Sequence, residues 1–376
     1  MRTQEYKYDD SRLPSSGSEK YSAEQKSVYI PTLDGWRCIA ILLVIFSHTF
    51  TWLGLGTAKL GAYLHYTGVA THIDRAGSNG VGVFFCLSGF LITKGLVDSN
   101  TGVLQFYLRR AFRILPAAFA YLGCASLLAL VGFIPLGINE LVASLFFYRN
   151  YLDVNAWYTG HFWSLAIEEQ FYLGWPTVLA VAGARGSRIF GAWVLLSVIV
   201  WRQFHWPLIG FSHIHTEMHL DAILCGSLMA LYWPRLHRLM MLAPLVLFPV
   251  ALGVYFTADA WSTVLEGTTD VIQAVAICVL IAGTISFPAS PISRTFESAY
   301  MRQIGRMSYS IYLWQQLLLQ PVSRPHIELP LRLLGIAVIA WLSFRFIEQP
   351  AIAFGRRLVS NRRSKDSQRN SLGGSA

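Results

Sequence analysis

Arg37 and His48 stand eleven residues apart in an apolar run, and that spacing is the first chemical signal in the chain. At ~100° per residue eleven positions return almost to the same helix face, with a rise of ~16 Å. An arginine near one end of a helix would then stand in line with a deep histidine. Such a pair suits an extended ligand whose phosphate is held at one end and whose other end reacts. Imidazole fits general base work because its ordinary pKa lies near neutrality. A structural histidine hydrogen-bonded inside a bundle fits the same spacing, and both readings stay open here.

Other polar groups in apolar surroundings also need an account, since ionisable side chains inside a bilayer are costly. Arg110 and Arg113, in the run Tyr107–Pro116, are i, i+3 neighbours whose guanidinium forks can face one anion. A basic cluster that only sets membrane topology has the same pattern. Glu168 lies in the run His161–Tyr172 and requires a partner, either for structure or to orient a catalytic base. Asp221 is deep in a later segment. Glu348 lies near a segment end, where Arg345 or another arginine offers a pair.

His213, His215 and His219 have a spacing that a metal accepts, but no carboxylate or cysteine stands at ligand spacing beside them. We expect no metal there and read the three as interfacial residues near an acceptor mouth. Ser88 lacks the G-x-S-x-G elbow of a serine nucleophile, and the small pair Ser88-Gly89 is better explained by close helix approach.

The elements that would position these groups follow from composition. Of 376 residues, 54% are apolar and 14% charged, against about 25% charged in a soluble domain. The apolar residues fall in blocks long enough to cross a membrane. Ten helical spans can be drawn, near 33–54, 78–97, 113–134, 163–183, 189–206, 218–233, 239–257, 271–287, 303–320 and 330–347, giving an all-α polytopic bundle. Residues 1–29 read as a disordered cytoplasmic leader without a cleavable signal, 30–357 as the membrane domain, and 358–376 as a disordered basic tail.

With the N-terminus inside, the cytoplasmic connections hold Lys94 with Arg109, Arg110 and Arg113; Arg185 with Arg188; Arg235 with Arg238; Arg294 with Arg302; and the tail. Asp259, Glu266 and Asp270 fall outside. This is the positive-inside pattern, with both termini cytoplasmic. The formal charge of +9 is therefore a topology or lipid signal. No recognition motif accompanies it, so nucleic acid is not an expected partner. The five cysteines lie in apolar segments without a C-x-x-C pair, which argues against a disulfide framework. No internal repeat is evident, a mild point against repeat-built transporters.

Taken in order, six segments resemble the membrane acyltransferase-3 family of O-acyltransferases. They are Ile30–Arg37 continuing to His48, Phe84–Thr93 with Ser88, the Arg110/Arg113 pair, and Trp163–Tyr172 with Glu168, Gln170 and Tyr172. Met301–Gln316 with Ser308, Tyr309 and Gln315, and Ser343–Pro350 with Glu348, complete the set. The resemblance implies an integral membrane enzyme of the bacterial cytoplasmic (inner) membrane. It would transfer acetyl or longer acyl groups from cytoplasmic acyl-CoA, a co-substrate and not a bound cofactor, to a sugar, glycan or macrolide-like hydroxyl. It further implies that Arg37, Arg110 and Arg113 bind the donor phosphates and that His48 activates the acceptor or carries the acyl group. Glu168 or Asp34 is then a candidate to orient the imidazole.

The chain departs from the family pattern at His219-Leu-Asp221, where Arg-x-Asp is usual, and at Leu317, where proline is common. No SGNH hydrolase-like segment follows, so a second acyl-handling site is not expected. A proton-coupled transporter of a polar or lipid-linked solute, with His48 and Glu168 as relay, is the competing reading. A scaffold is a third, which the density of intramembrane charge opposes.

Overall fold

The computed structural model describes residues 29–54, 69–98, 102–152, 156–205, 214–257, 268–320 and 329–360. The leader up to residue 28, His213, Asp259, Glu266 and the tail beyond residue 360 lie outside them. The described residues form helices, with no strand among them.

The helices are α1 (Thr32–Gly54), α2 (Val69–Asp98), α3 (Val103–Leu130), α4 (Ile138–Leu145), α5 (Trp157–Gly160), α6 (Phe162–His205) and α7 (Thr216–Leu231). They continue as α8 (Trp233–Leu242), α9 (Pro244–Thr257), α10 (Thr269–Ser286), α11 (Pro291–Phe296), α12 (Ala299–Leu318) and α13 (Leu329–Ser343). A 3₁₀ turn, Arg149–Tyr151, precedes α5, and a π turn, Phe344–Glu348, follows α13.

Each of the ten segments drawn from the sequence falls largely on helix. Among the described residues five stretches are long and apolar enough to cross a membrane: Gly77–Asp98, Val103–Leu130, Trp157–Phe204, Thr269–Ser286 and Leu329–Ser360. The pair α8 and α9, bent by 107°, makes a sixth if counted as one broken span. The segments 163–183 and 189–206 are two arms of α6. They break at Gly183, whose φ of 62° is a conformation that a side chain disfavours.

The span drawn from residue 113 begins earlier, so Arg110 and Arg113 both lie on helix. α3 begins at Val103 because Phe106, Ile114, Ala117, Tyr121 and Ala125 give it one continuous buried face that starts before the charges.

Small residues set the closest crossings. A methyl at Gly305 of α12 would overlap the Asp34 carbonyl of α1. Methyls at Gly89 of α2 and Gly226 of α7 would each strike the other helix's backbone, so that crossing tolerates no side chain on either side. These contacts fix the relative direction of the site helices. α1 and α12 run in parallel, with Gly305 beside Asp34 and Gln315 beside His48. α3 runs with them: the Tyr309 hydroxyl donates to the Ile114 carbonyl at 2.8 Å, and Tyr121 meets Trp314 with ring centroids 5.5 Å apart. The first arm of α6 runs the other way, bringing Tyr172 to Arg110 and leaving α5 near Tyr121.

Candidate functional site

One end of this helix set carries the arginines. Arg37 Nη1 donates to Asp34 Oδ1 at 3.0 Å one turn earlier, and Tyr29 donates to the other Asp34 oxygen. Arg113 lies within electrostatic reach of Arg37, Arg110 and Glu348. The three arginines named from the sequence therefore share one site, although they come from two helices. The Arg110 guanidinium stacks over the Tyr172 ring, 4.2 Å from its centroid, and its buried Nε has no protein partner.

Carboxylates and hydroxyls frame these cations. Glu168 accepts from Ser88 Oγ at 2.8 Å and from Tyr172 Oη at 2.6 Å. Glu169 stands next to it, within reach of Arg110. Glu348 accepts from Ser310 Oγ at 2.9 Å and feels Arg113 and Arg37. Arg345, the pairing suggested by sequence, is exposed while Glu348 is buried. Tyr309 lies among Glu348, Glu168, Glu169 and Arg113, and Ser308 is buried on the same helix.

The other end carries His48, and a run of amides fixes its chemistry. Gln316 Nε2 donates to the Trp157 carbonyl at 2.8 Å. Gln315 Nε2 donates to Gln316 Oε1 at 3.0 Å, and Gln315 Oε1 faces His48 Nδ1 at 2.8 Å. A backbone carbonyl only accepts, so each carboxamide in the run can point one way only. Nδ1 must then carry the hydrogen, and in the neutral ring Nε2 keeps its lone pair. Trp157 packs on the imidazole at 5.6 Å between centroids and donates Nε1–H to the Gln316 carbonyl at 2.7 Å.

The structure thus separates two assignments that the sequence left together. The partner of His48 Nδ1 is Gln315, while Asp34 bonds Arg37 and Glu168 bonds Ser88 and Tyr172. A carboxylate was the natural expectation from triads, but helix packing decides which acceptor stands opposite Nδ1.

Asp221 lies away from both ends. It pairs with Arg202 of the second arm of α6 at 2.9 Å, and Arg202 also meets Asp270 at 3.3 Å. Arg202, whose side chain is 1% exposed, was missed by the sequence reading. Its signal was present, since an arginine inside the apolar 189–206 segment requires an acid. Gln170 points to a different surface, binding the Phe147 carbonyl at 2.8 Å and Asn150 Oδ1 at 3.1 Å. Trp157 gave no signal beforehand. His215 pairs with Glu217 and His219 stacks on Trp163, so these two turn to different partners. Among the described residues no three metal-ligating side chains converge.

The chain belongs to the acyltransferase-3 family: the model described as "Acyltransferase domain" matches residues 30–346. A putative peptidoglycan O-acetyltransferase of Bacillus subtilis (strain 168) is 29% identical, over 91% of this chain and 58% of its own length. The peptidoglycan O-acetyltransferase of Listeria monocytogenes is 28% identical, over 86% and 56%. A putative O-acetyltransferase of Staphylococcus aureus (strain COL) is 28% identical, over 89% and 58%. The chain thus spans somewhat more than half the length of these relatives. No solved structure matches.

Proposed function

We propose that this chain is an integral membrane O-acyltransferase that moves an acetyl group from acyl-CoA to a hydroxyl of a peptidoglycan-type glycan. The arginine end faces the cytoplasm, where the thioester is made, and the chain crosses the membrane ten times with both termini on that side. Relatives named as peptidoglycan O-acetyltransferases support the acceptor class.

The observation that carries the reading is the amide run ending on His48. It presents an Nε2 lone pair on the helix that also carries Arg37, ~16 Å along the axis. Coenzyme A has a diphosphate and a further phosphate, and hydrocarbon excludes all three. Arg37, Arg110 and Arg113 supply three always-charged forks at one mouth. The pantetheine arm, threaded inward from that mouth, has the length to bring its thioester to His48.

There His48 Nε2 takes the proton of the acceptor hydroxyl as its oxygen attacks the acyl carbon. The carbon–sulfur bond breaks, and the leaving thiolate recovers the proton from Nε2. Gln315 keeps the ring in the one tautomer that permits this. Proton transfer by a positioned base contributes about 10²- to 10⁴-fold.

The test is to supply the purified protein with acetyl-CoA labelled in the acetyl group and a soluble peptidoglycan oligosaccharide. Label should appear as an ester on the sugar. Retention of all label on coenzyme A would refute the reading.

A further inference from the structure

The 3₁₀ turn Arg149–Tyr151 is held in an unusual state by polar groups outside the reaction path. Phe147, just before it, has φ of 55°, a left-handed conformation that a bulky residue rarely adopts. Gln170, deep on α6, donates to the Phe147 carbonyl at 2.8 Å and to Asn150 Oδ1 at 3.1 Å. Asn150 Nδ2 donates to Thr216 Oγ1 at 2.9 Å, and Thr216 donates back to Gln170. Arg149, buried, donates to Thr159 Oγ1 at 3.3 Å and to the Leu152 carbonyl at 2.9 Å. The turn is thereby tied to α6, to the start of α7 and to α5, the helix that bears Trp157.

This clamp presents Tyr151 outward. Its ring is 46% exposed and leans on His215, 4.8 Å between centroids at 43°. Its hydroxyl donates to Glu217 Oε2 at 3.1 Å, while the other Glu217 oxygen faces His215 Nδ1 at 3.3 Å. Glu217 keeps 46% of its side chain open. The result is an aromatic face with a carboxylate and an imidazole at its edge, on a turn that Arg149 ties to α5, whose Trp157 packs on His48.

We propose that Tyr151, His215 and Glu217 form an acceptor subsite that seats one sugar ring of a glycan chain. The electron-rich face of Tyr151 suits the partly positive C–H face of a pyranose. Glu217 and His215 suit its hydroxyls as hydrogen-bond partners. A tyrosine that merely anchors the chain at the membrane interface needs no carboxylate beside it, and Glu217 repels an anionic lipid headgroup. The assignment rests on the acyltransferase reading, because that reading supplies the glycan acceptor.

The test uses the full chain in detergent with a chito-oligosaccharide of N-acetylglucosamine and no acyl donor, followed by saturation-transfer NMR. Tyr151→Ala and Glu217→Gln should each weaken binding at least tenfold. Tyr151→Phe, which keeps the ring, should stay within a few-fold of the parent, as should Tyr148→Ala at the exposed neighbouring tyrosine. Equal binding by the parent, Tyr151→Ala and Glu217→Gln would overturn the subsite, as would parent protein that binds no sugar. A parallel transfer assay separates the two ideas. Sugar binding at Tyr151 without any acetyl transfer would sink the enzyme reading alone. Transfer with an unchanged acceptor KM in Tyr151→Ala would sink the subsite alone.

Discussion

His48 Nδ1 and Gln315 Oε1 meet at 2.8 Å across the parallel helices α1 and α12, and this contact sets the tautomer of the imidazole. Replacing Gln315 with leucine removes the acceptor and leaves the buried Nδ1–H without its partner. The ring can then turn or change tautomer. We expect kcat to fall about 10²-fold or more, within the range general base catalysis supplies. Donor KM should change little. Steady-state kinetics on detergent-purified protein checks both numbers, and unchanged kcat would remove the tautomer argument.

Asp34 holds Arg37, so under the proposed function it acts on donor binding through that guanidinium. Asp34→Asn keeps the shape but halves the acceptor capacity and removes the charge that steadies the guanidinium. The expected result is a several-fold rise in the KM for acetyl-CoA, with kcat nearly intact. Arg113→Lys should raise the same KM further, because an ammonium lacks the planar fork that matches phosphate. A titration of coenzyme A binding separates these effects from chemistry.

Glu168 receives two hydroxyl donors, Ser88 and Tyr172, and sits beside the Arg110 stack. In Glu168→Gln a single acceptor oxygen remains, so one buried hydroxyl loses its partner at a cost of ~1–3 kcal/mol. A lower thermal midpoint is expected, while kcat of the folded fraction should fall less than tenfold. A kcat as low as that of a His48 variant would return Glu168 to the catalytic role inferred from sequence.

Arg202 and Asp221 form an ion pair buried between α6 and α7. Removing Arg202 leaves Asp221 an uncompensated buried charge, which costs ~3–5 kcal/mol, and removing Asp221 leaves Arg202 only the half-exposed Asp270. Arg202→Met and Asp221→Leu should each lower the thermal midpoint sharply, and the double variant should recover part of the loss. Additive losses in the double variant would show that the pair is not coupled.

The all-helical, membrane-like class was legible because apolar blocks are properties of local sequence. Arg37 and His48 were legible as a pair because one helix carries both, and helical geometry fixes their relation. The partner of His48 was not. Asp34, Glu168 and Gln315 are all polar groups in apolar surroundings, and the crossing of α1 with α12 at Gly305 chooses among them. Gly183 was equally ambiguous, since a glycine between two apolar blocks reads as a loop or as a break within one helix. Arg202 could have been found by asking what neutralises Asp221, because a deep aspartate demands a cation from some other segment. Gln170 stood inside the run that carried Glu168, yet it faces the opposite side of α6 and serves the Phe147 turn.

The proposed function makes His48 the base for a donor held by Arg37 of the same helix and by Arg110 and Arg113 of α3. The direct measurement is a paired assay on His48→Ala: coenzyme A affinity by calorimetry, and single-turnover transfer of labelled acetyl to a glycan acceptor. The prediction is affinity within about twofold of the parent and transfer reduced by about 10³-fold or more. Transfer at the parent rate in a folded, donor-bound His48→Ala protein would contradict it.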